Sequence, residues 1–392
     1  MNARRQISDT QKVSNELKKA IIEQRGDVIA RFFDIQYLKE RREACQRLVN
    51  EGISRALGHD LWMEAFSFLF EVPLADDENI GFSLYNQASS PLIRDFKSLV
   101  SNLGVPCVKS IAKTLRYYAT YVDYNESVNQ MQKLLRLALT TRNNVNGGSS
   151  LLTVVNELMA VYFQKNNIKQ ANNLLKTVND AINFDYYSPS EVCTFRFNRG
   201  RLYAIQMKIS EAHSDLLAAY NTCPLSLKSN RCLILLYLIP VQLFYGQLPT
   251  TKNGLIEFYG LDGIFTDFAI AIALGLISKF DQAIQRNQVI LLKLGLYHLM
   301  AAARKLVYYQ ILRIVHKTYN SNKIPVEAFL EALKLSSKTE DNKEKNYTID
   351  EAESIVSTLI EMKLVKAYVH HGLHFIVFGK DPFQIESSMN AE

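Results

Sequence analysis

The chain is 392 residues long, with 48% hydrophobic and 21% charged residues and a formal charge of +6 from 45 basic and 39 acidic side chains. That length exceeds what one core usually holds, so two or three domains are expected, and the composition is that of a globular chain rather than a disordered one. The basic excess is thin: residues 1–150 carry 20 basic and 17 acidic groups, 151–302 carry 13 and 10, and 303–392 carry 12 and 12. Such a balance allows acidic partners without demanding nucleic acid. The 16 Gly and 9 Pro leave long unbroken stretches that favour helices over a sandwich or barrel.

The opening "MNARRQISDTQKVSNELKKA" is polar and lacks the apolar centre of a signal peptide, so the cytosol or nucleus is the expected compartment. The five cysteines, Cys45, Cys107, Cys193, Cys223 and Cys232, form no C-x-x-C pair. They read as reduced and mostly buried, with neither a disulfide framework nor a zinc site. Residues 1–145 read as an N-terminal helical region, with Leu99, Leu103 and Val108 and then Ile111, Leu115 and Tyr118 as its apolar positions. Loops are expected at Pro73–Asp77 and at Gly104-Val105-Pro106, and "NNVNGGSS", residues 143–150, reads as a linker.

A repeat follows, and residues 146–302 are expected to be tetratricopeptide-like helical repeats. Residues 151–178 superpose on 192–219: Leu151 meets Val192, Tyr162 meets Tyr203, Ile168 meets Ile209, Ala171 meets Ala212 and Leu175 meets Leu216. Each block is a helix, a polar turn ("KNNIK", "QMKIS") and a second helix. "GLISKFDQAIQRN", residues 275–287, repeats the turn, with Phe280 and Ala283 placed at the Ile and Ala positions. The apolar run "RCLILLYLIPVQLFYGQLP", residues 231–249, is too short to span a bilayer, which needs ~20 apolar residues. It reads as a buried helix kinked at Pro240, in which Leu236→Asp would bury a charge and abolish folding.

Residues 303–392 read as a winged helix. Pro325 opens the helix "PVEAFLEALKL". Thr348 and Glu351 form a capping box before a second helix with Ile349, Ala352, Ile355, Val356, Leu359 and Met362 on one face. Strands at 364–369 and 374–379 flank "HHGL". The fold class is therefore all-α: a TPR-like solenoid ending in a winged helix, which is the layout of a PCI domain.

The segment "RGRLYAIQMKISEAHSDLLAAYNTCP…NRCLILLYLIPVQLFYGQLPT" resembles one branch of PCI proteins, the PCI-domain-containing protein 2 family. The resemblance rests on Gly200-Arg201, Ala212 with Leu216, Cys223, Asn230-Arg231, Leu235 through Val241, and Gly246 with Pro249. "LVYYQILRIVHK" and "IVFGKDPF" match as well, and the resemblance covers about residues 190–384. This chain departs at Tyr309, where the family's "VYRNL" run has Arg and this one reads Val307-Tyr308-Tyr309-Gln310-Ile311, and in a longer loop at 336–348. The resemblance implies a non-catalytic scaffold of the TREX-2 mRNA export complex, nuclear and associated with the nuclear pore. Its implied partners are a larger PCI-type subunit, a small acidic Sem/DSS protein and, weakly and jointly, RNA or DNA. A sister complex, signalosome-associated or splicing-linked, and a stand-alone RNA-binding module are the alternatives.

Candidate sites follow from the residues. Arg196, Arg199 and Arg201 with Lys228 and Arg231 read either as a solvated edge or as a groove for an acidic peptide, since the guanidinium fork takes both carboxylate oxygens. Lys334, Lys338, Lys343, Lys345, Lys363, Lys366 and Lys380 read as solubilising charge or as a diffuse, salt-sensitive nucleic-acid rim. The reading helix of the winged fold carries Asp350, Glu351, Glu353 and Glu361, which would repel phosphate. Val365, Tyr368, Phe375 and Phe378 are candidates for the core of the wing or for docking. His370, His371 and His374 read as an exposed turn rather than a metal cluster, because neighbours on a strand face opposite ways and no Cys or paired carboxylate completes a site. No P-loop, HExxH, GxSxG or GxGxxG motif is present, so neither an enzyme nor a cofactor is expected.

Overall fold

Helices fill most of the chain, and the computed structural model describes residues 2–52, 60–95, 101–141, 149–248, 255–338 and 345–383. Two compact units, Met1–Asn198 and Arg199–Glu392, divide it. No helix among the described residues is long and apolar enough to cross a membrane.

The first unit runs α1 (Asn2–Ile22), α2 (Gly26–Arg31), α3 (Ile35–Lys39), α4 (Arg42–Asn50), α5 (Asp60–Leu69), α6 (Glu78–Asp95), α7 (Ser101–Tyr121), α8 (Tyr124–Thr141), α9 (Leu151–Gln164) and α10 (Ile168–Val178). Its core is aromatic. Phe32, Phe33, Phe66 and Phe70 are fully buried, with the Phe66 and Phe70 rings stacked 5.4 Å apart. The backbone between α2 and α3 is held by hydroxyls: the Phe33 carbonyl accepts from Tyr85 Oη at 2.7 Å and Thr114 Oγ1 at 2.8 Å. Thr114 sits on α7, which packs against α2, α8 and α9. The loop expected at Gly104-Val105-Pro106 is helical instead, inside α7. Pro106 denies the Asn102 carbonyl its intrahelical donor, but buried Leu103, Cys107, Val108, Ile111 and Leu115 share one helical face and override that local signal. Leu99 and residues 143–148 of the linker lie outside the described residues. The end of that linker is ordered: buried Ser149 accepts from the Leu151 amide at 3.2 Å and caps the entry to α9.

The division between the units falls within α11 (Pro189–Ile205), while the expected boundary at 145/146 lies between α8 and α9. The second unit continues with α12 (Ile209–Thr222), α13 (Lys228–Leu243), α14 (Leu255–Phe258), α15 (Asp262–Leu274), α16 (Ile277–Leu294) and α17 (Tyr297–Tyr319).

One turn recurs between paired helices. Asn166 (φ 53°), Met207 (φ 61°), Gly275 (φ 69°) and Gly295 (φ 74°) are all left-handed. In each case the next amide donates to the carbonyl five residues back: Asn167 to Tyr162 (2.7 Å), Lys208 to Tyr203 (2.9 Å), Leu276 to Ala271 (2.8 Å) and Leu296 to Leu291 (2.8 Å). This is the six-to-one bond of a Schellman stop. Aligning the left-handed residues pairs Ile277 with Ile168 and Ile209, and Phe280 with Ala171 and Ala212. The third repeat is therefore shifted by three residues from the sequence alignment, and a large ring occupies its small-residue position, packed on Phe268 at 5.1 Å. Gly200 is small because α12 crosses it: a Cβ there would lie 2.7 Å from Leu216 Cγ.

Pro240 is buried in the last turn of α13. Leu236 is only half-buried, whereas Leu235, Tyr237 and Leu238 are fully inside. The charge-burial expectation therefore moves one position either way, because Leu236 faces the rim of the helix stripe.

The chain closes with β1 (Lys323–Pro325), α18 (Val326–Ser337), α19 (Ile349–Glu361), β2 (Val365–His370) and β3 (Phe375–Phe383), giving an antiparallel sheet in the order β1-β3-β2. The fold is all-α repeats with a winged helix, as the sequence implied. Pro325 belongs to β1 and to the N-cap of α18 rather than its first turn, with φ −66° and ψ 143°. The capping box is present: Thr348 Oγ1 accepts from the Glu351 amide at 3.2 Å, and Glu351 accepts from the Thr348 amide at 2.9 Å. Met362 ends α19 as its C-cap and is exposed.

The winged helix is fastened to the Gly275 turn, the third of the four recurring turns. Ser336 Oγ of α18 accepts from the Ile277 amide at 2.8 Å and donates to the Gly275 carbonyl at 2.6 Å. A Cβ at Gly275 would lie 3.0 Å from Ile311 Cγ1 on α17, and the backbone there is left-handed (φ 69°), so the turn favours glycine.

Candidate functional site

The cationic residues expected to form an acidic-peptide groove are mostly engaged within the chain. Arg199 grips Asp215 with a fork, Nε to Oδ2 at 2.6 Å and Nη2 to Oδ1 at 2.7 Å. Arg231 is buried; it donates to Tyr259 Oη at 2.9 Å and to the Tyr220 and Cys223 carbonyls at 3.1 and 2.6 Å. These carbonyls end α12, so the guanidinium is a C-terminal cap with the charge that a helix dipole favours. Arg201 lies over the Tyr237 ring at 5.1 Å, and burial pulls it below the ordinary guanidinium value. Arg196 sits over Phe184 at 4.9 Å in the first unit. Lys228 is exposed and rests over exposed Phe258 at 4.7 Å. Arg199, Arg201 and Arg231 are thus interior contacts rather than groove-lining groups. Tertiary partners distant in sequence, such as Tyr259, made this invisible to composition.

The departure at Tyr309 also has a structural reading: its ring is fully buried and meets Phe383 at 5.5 Å, where a charge would be buried. The side-chain amide of the next residue, Gln310, donates to the Ala273 carbonyl at 2.8 Å and secures the end of α15 from α17.

The lysine rim is outward-facing. Lys338, Lys345, Lys363, Lys366 and Lys380 are exposed, Lys334 pairs with Glu331 at 2.8 Å, and Lys343 lies outside the described residues. Lys366 and Lys380 flank the bulge where β2 and β3 slip register between Val365 and Ala367. Lys363 ends α19 in the left-handed region (φ 58°).

Of the four wing candidates, Val365 and Phe378 are core. Phe378 meets His316 of α17 at 4.6 Å, and burial lowers that imidazole's pKa. Phe375 is half-buried with Lys323 over its ring at 4.3 Å. Tyr368 is exposed and available for docking.

One cluster was missed. Glu353 is not on the outer face of α19: it is buried and reaches the hairpin turn, where Oε2 meets His371 Nδ1 at 2.5 Å and Oε1 meets His374 Nδ1 at 2.8 Å. The bond from His374, against the opposing effect of burial and with a further bond from His371, holds the carboxyl below its usual range. The same carboxylate raises His371. A single carboxylate thus joins the two histidines, a partner that the sequence reading did not place beside them. Glu353 stands four residues after Ile349 and three before Val356, on the apolar stripe, so helical periodicity did carry the signal.

Residues 108–253 match the family model described as PSMD3-like, N-terminal TPR repeats, and residues 284–380 match the PCI domain. The chain is 32% identical to the PCI domain-containing protein 2 homolog of Dictyostelium discoideum, over 60% of this chain and 53% of the relative. It is 29% identical to the homolog of that name from Drosophila melanogaster, over 59% and 57%. It is 24% identical to the Protein CSN12 homolog of Neurospora crassa, over 71% of each chain. The match thus spans little more than half the length of the first two relatives.

Proposed function

We propose that this chain, whose residues 284–380 form a PCI domain and whose relatives include proteins named PCI domain-containing protein 2, is a non-catalytic scaffold subunit of a multi-protein assembly. The observation that supports this most is the joining, in one chain, of TPR-like repeats at 108–253 with a PCI domain. Repeats of this type expose extended surfaces to other proteins. The finer reading is a subunit of the nuclear TREX-2 mRNA export complex, paired with a larger PCI-type subunit and a small acidic Sem/DSS protein. Exposed Lys338, Lys345, Lys363, Lys366 and Lys380 would add weak backbone contacts to RNA or DNA within the assembly.

A second reading is a sister PCI complex, signalosome-associated or splicing-linked. It is kept because the Protein CSN12 homolog matches over 71% of both chains.

Gentle purification of the tagged protein from its own cells, with mass spectrometry of what accompanies it, separates the two. Export-complex and nuclear-pore proteins support the first reading; signalosome or splicing subunits move the chain to the second. A stand-alone RNA-binding role is tested with the isolated protein across salt. Lysine contacts with phosphate lose affinity steeply as salt rises, so tight binding that survives high salt would revive it.

A further inference from the structure

We propose that Glu353, His371 and His374 form a Zn2+ site that staples the hairpin turn of the wing to α19. Their candidate ligand atoms all lie within 4.8 Å of one another, the donor set of a three-ligand metal site among the described residues.

Three features suit a metal. First, the donors come from separate elements: Glu353 from α19, and the two histidines from the turn between β2 and β3. A bound ion would therefore cross-link the element that presents the wing to the element it packs on. Second, two of the three ligands are held in place. Glu353 is buried on a helix whose start is fixed by a capping box. The His374 backbone is left-handed (φ 52°) and pinned at both ends, its amide donating to the His371 carbonyl at 3.2 Å and its carbonyl accepting from the Val326 amide at 2.8 Å. Preorganised ligands of this kind lose little freedom on binding. Third, both imidazoles already turn Nδ1 toward the same carboxylate, at 2.5 and 2.8 Å, so the donor atoms converge before any ion binds.

The chemistry fits a first-row divalent ion, with zinc the one proposed. Two imidazole nitrogens and one carboxylate oxygen are a borderline donor set that magnesium and calcium disfavour. None of the five cysteines is among the grouped donors, so no thiolate joins the set. Zinc takes such ligands at about 2.0–2.2 Å in a tetrahedron, which spaces the donors about 3.3 Å apart. The two contacts of 2.5 and 2.8 Å must open by less than about 1 Å. His371 is the ligand able to yield, because its side chain is 76% exposed. On binding, each Nδ1 turns its lone pair to the metal. A neutral ring moves its proton to Nε2, and a protonated ring releases one proton to solvent. The fourth position faces solvent on the exposed side of His371 and takes water.

The full chain, stripped with a chelator and returned to buffer, is titrated with Zn2+ against a chromophoric competitor, and with Co2+ for its ligand-field spectrum. The proposal expects one Zn2+ per chain that His371→Ala and His374→Ala each weaken by at least about tenfold. The Co2+ spectrum should be that of nitrogen and oxygen donors. Glu353→Gln should behave likewise, and the exposed His371→Ala keeps the test valid should the buried variant fail to fold. Equal titration of the parent chain and the His371→Ala/His374→Ala double variant would overturn the proposal. So would a Co2+ spectrum dominated by thiolate charge transfer, which would place the metal on cysteines.

Discussion

Gly200 and Leu236 show how one side chain decides what its neighbours tolerate. Leu216 closes over Gly200, so Gly200→Ala forces α11 and α12 apart at their crossing. We expect a loss of about 1–3 kcal/mol, the usual range for overpacking, read from urea unfolding; an unchanged midpoint would show that the crossing is slack. Along α13 the same logic ranks positions. Leu238→Asp places a carboxylate where the side chain is 1% exposed, and Leu236→Asp places it at the half-buried rim. The first should leave no soluble folded protein, while the second should fold with a lowered melting temperature. Equal yields of the two variants would contradict the register of the helix.

At the scale of elements, the turns and caps carry the organisation. Ser336→Ala removes both bonds between α18 and the Gly275 turn and leaves the Ile277 amide without its acceptor. The expected cost is about 1–3 kcal/mol, the penalty for an orphaned buried group, and hydrogen exchange at Ile277 should accelerate. Protection equal to that of the parent would mean that water replaces the hydroxyl.

Much of this level was legible in the sequence. The capping box needs four consecutive residues, the hairpin needs alternation around a glycine, and the first two repeat turns, at Asn166 and Met207, stand in the same frame. What the sequence hid was non-local. β1 is three residues long and exists because Ile324 faces Ile376 and Lys323 faces Val377 on β3. The arginines read as surface because nothing near them in sequence announces Asp215 or Tyr259. Glu353 read as outward because its charge outweighed its place on the apolar stripe, and its two imidazole partners arrive 18 and 21 residues later.

The molecule as a whole responds to acid through the carboxylates it holds inside. Glu191 of α11 is paired with Lys109 of α7 at 2.8 Å and accepts from Thr153 of α9 at 2.5 Å. Burial alone would raise its carboxyl. The bonds from Lys109, Thr153 and Ser188 outweigh that and hold it below the ordinary value of 4.5. A carboxylate lowered on folding stabilises above its unfolded value and loses that contribution as pH falls through the folded one. Glu191→Gln should therefore lower stability at pH 7, with the gap to the parent narrowing below about pH 4.5. A gap that persists unchanged at pH 3 would assign the effect to lost packing rather than charge.

The latch between Ser336 and the Gly275 turn bears on how this chain can be taken apart and recombined. A chimaera that exchanges winged helices between relatives at 302/303 would sever α17 and pair a foreign α18 with a native turn. A chimaera that carries residues 262–383 as one block keeps Gly275, Ile311 and Ser336 in the same hands. The unit of inheritance is therefore the wing together with the helices around the Gly275 turn, and substitutions at these three positions should be exchangeable only as a set.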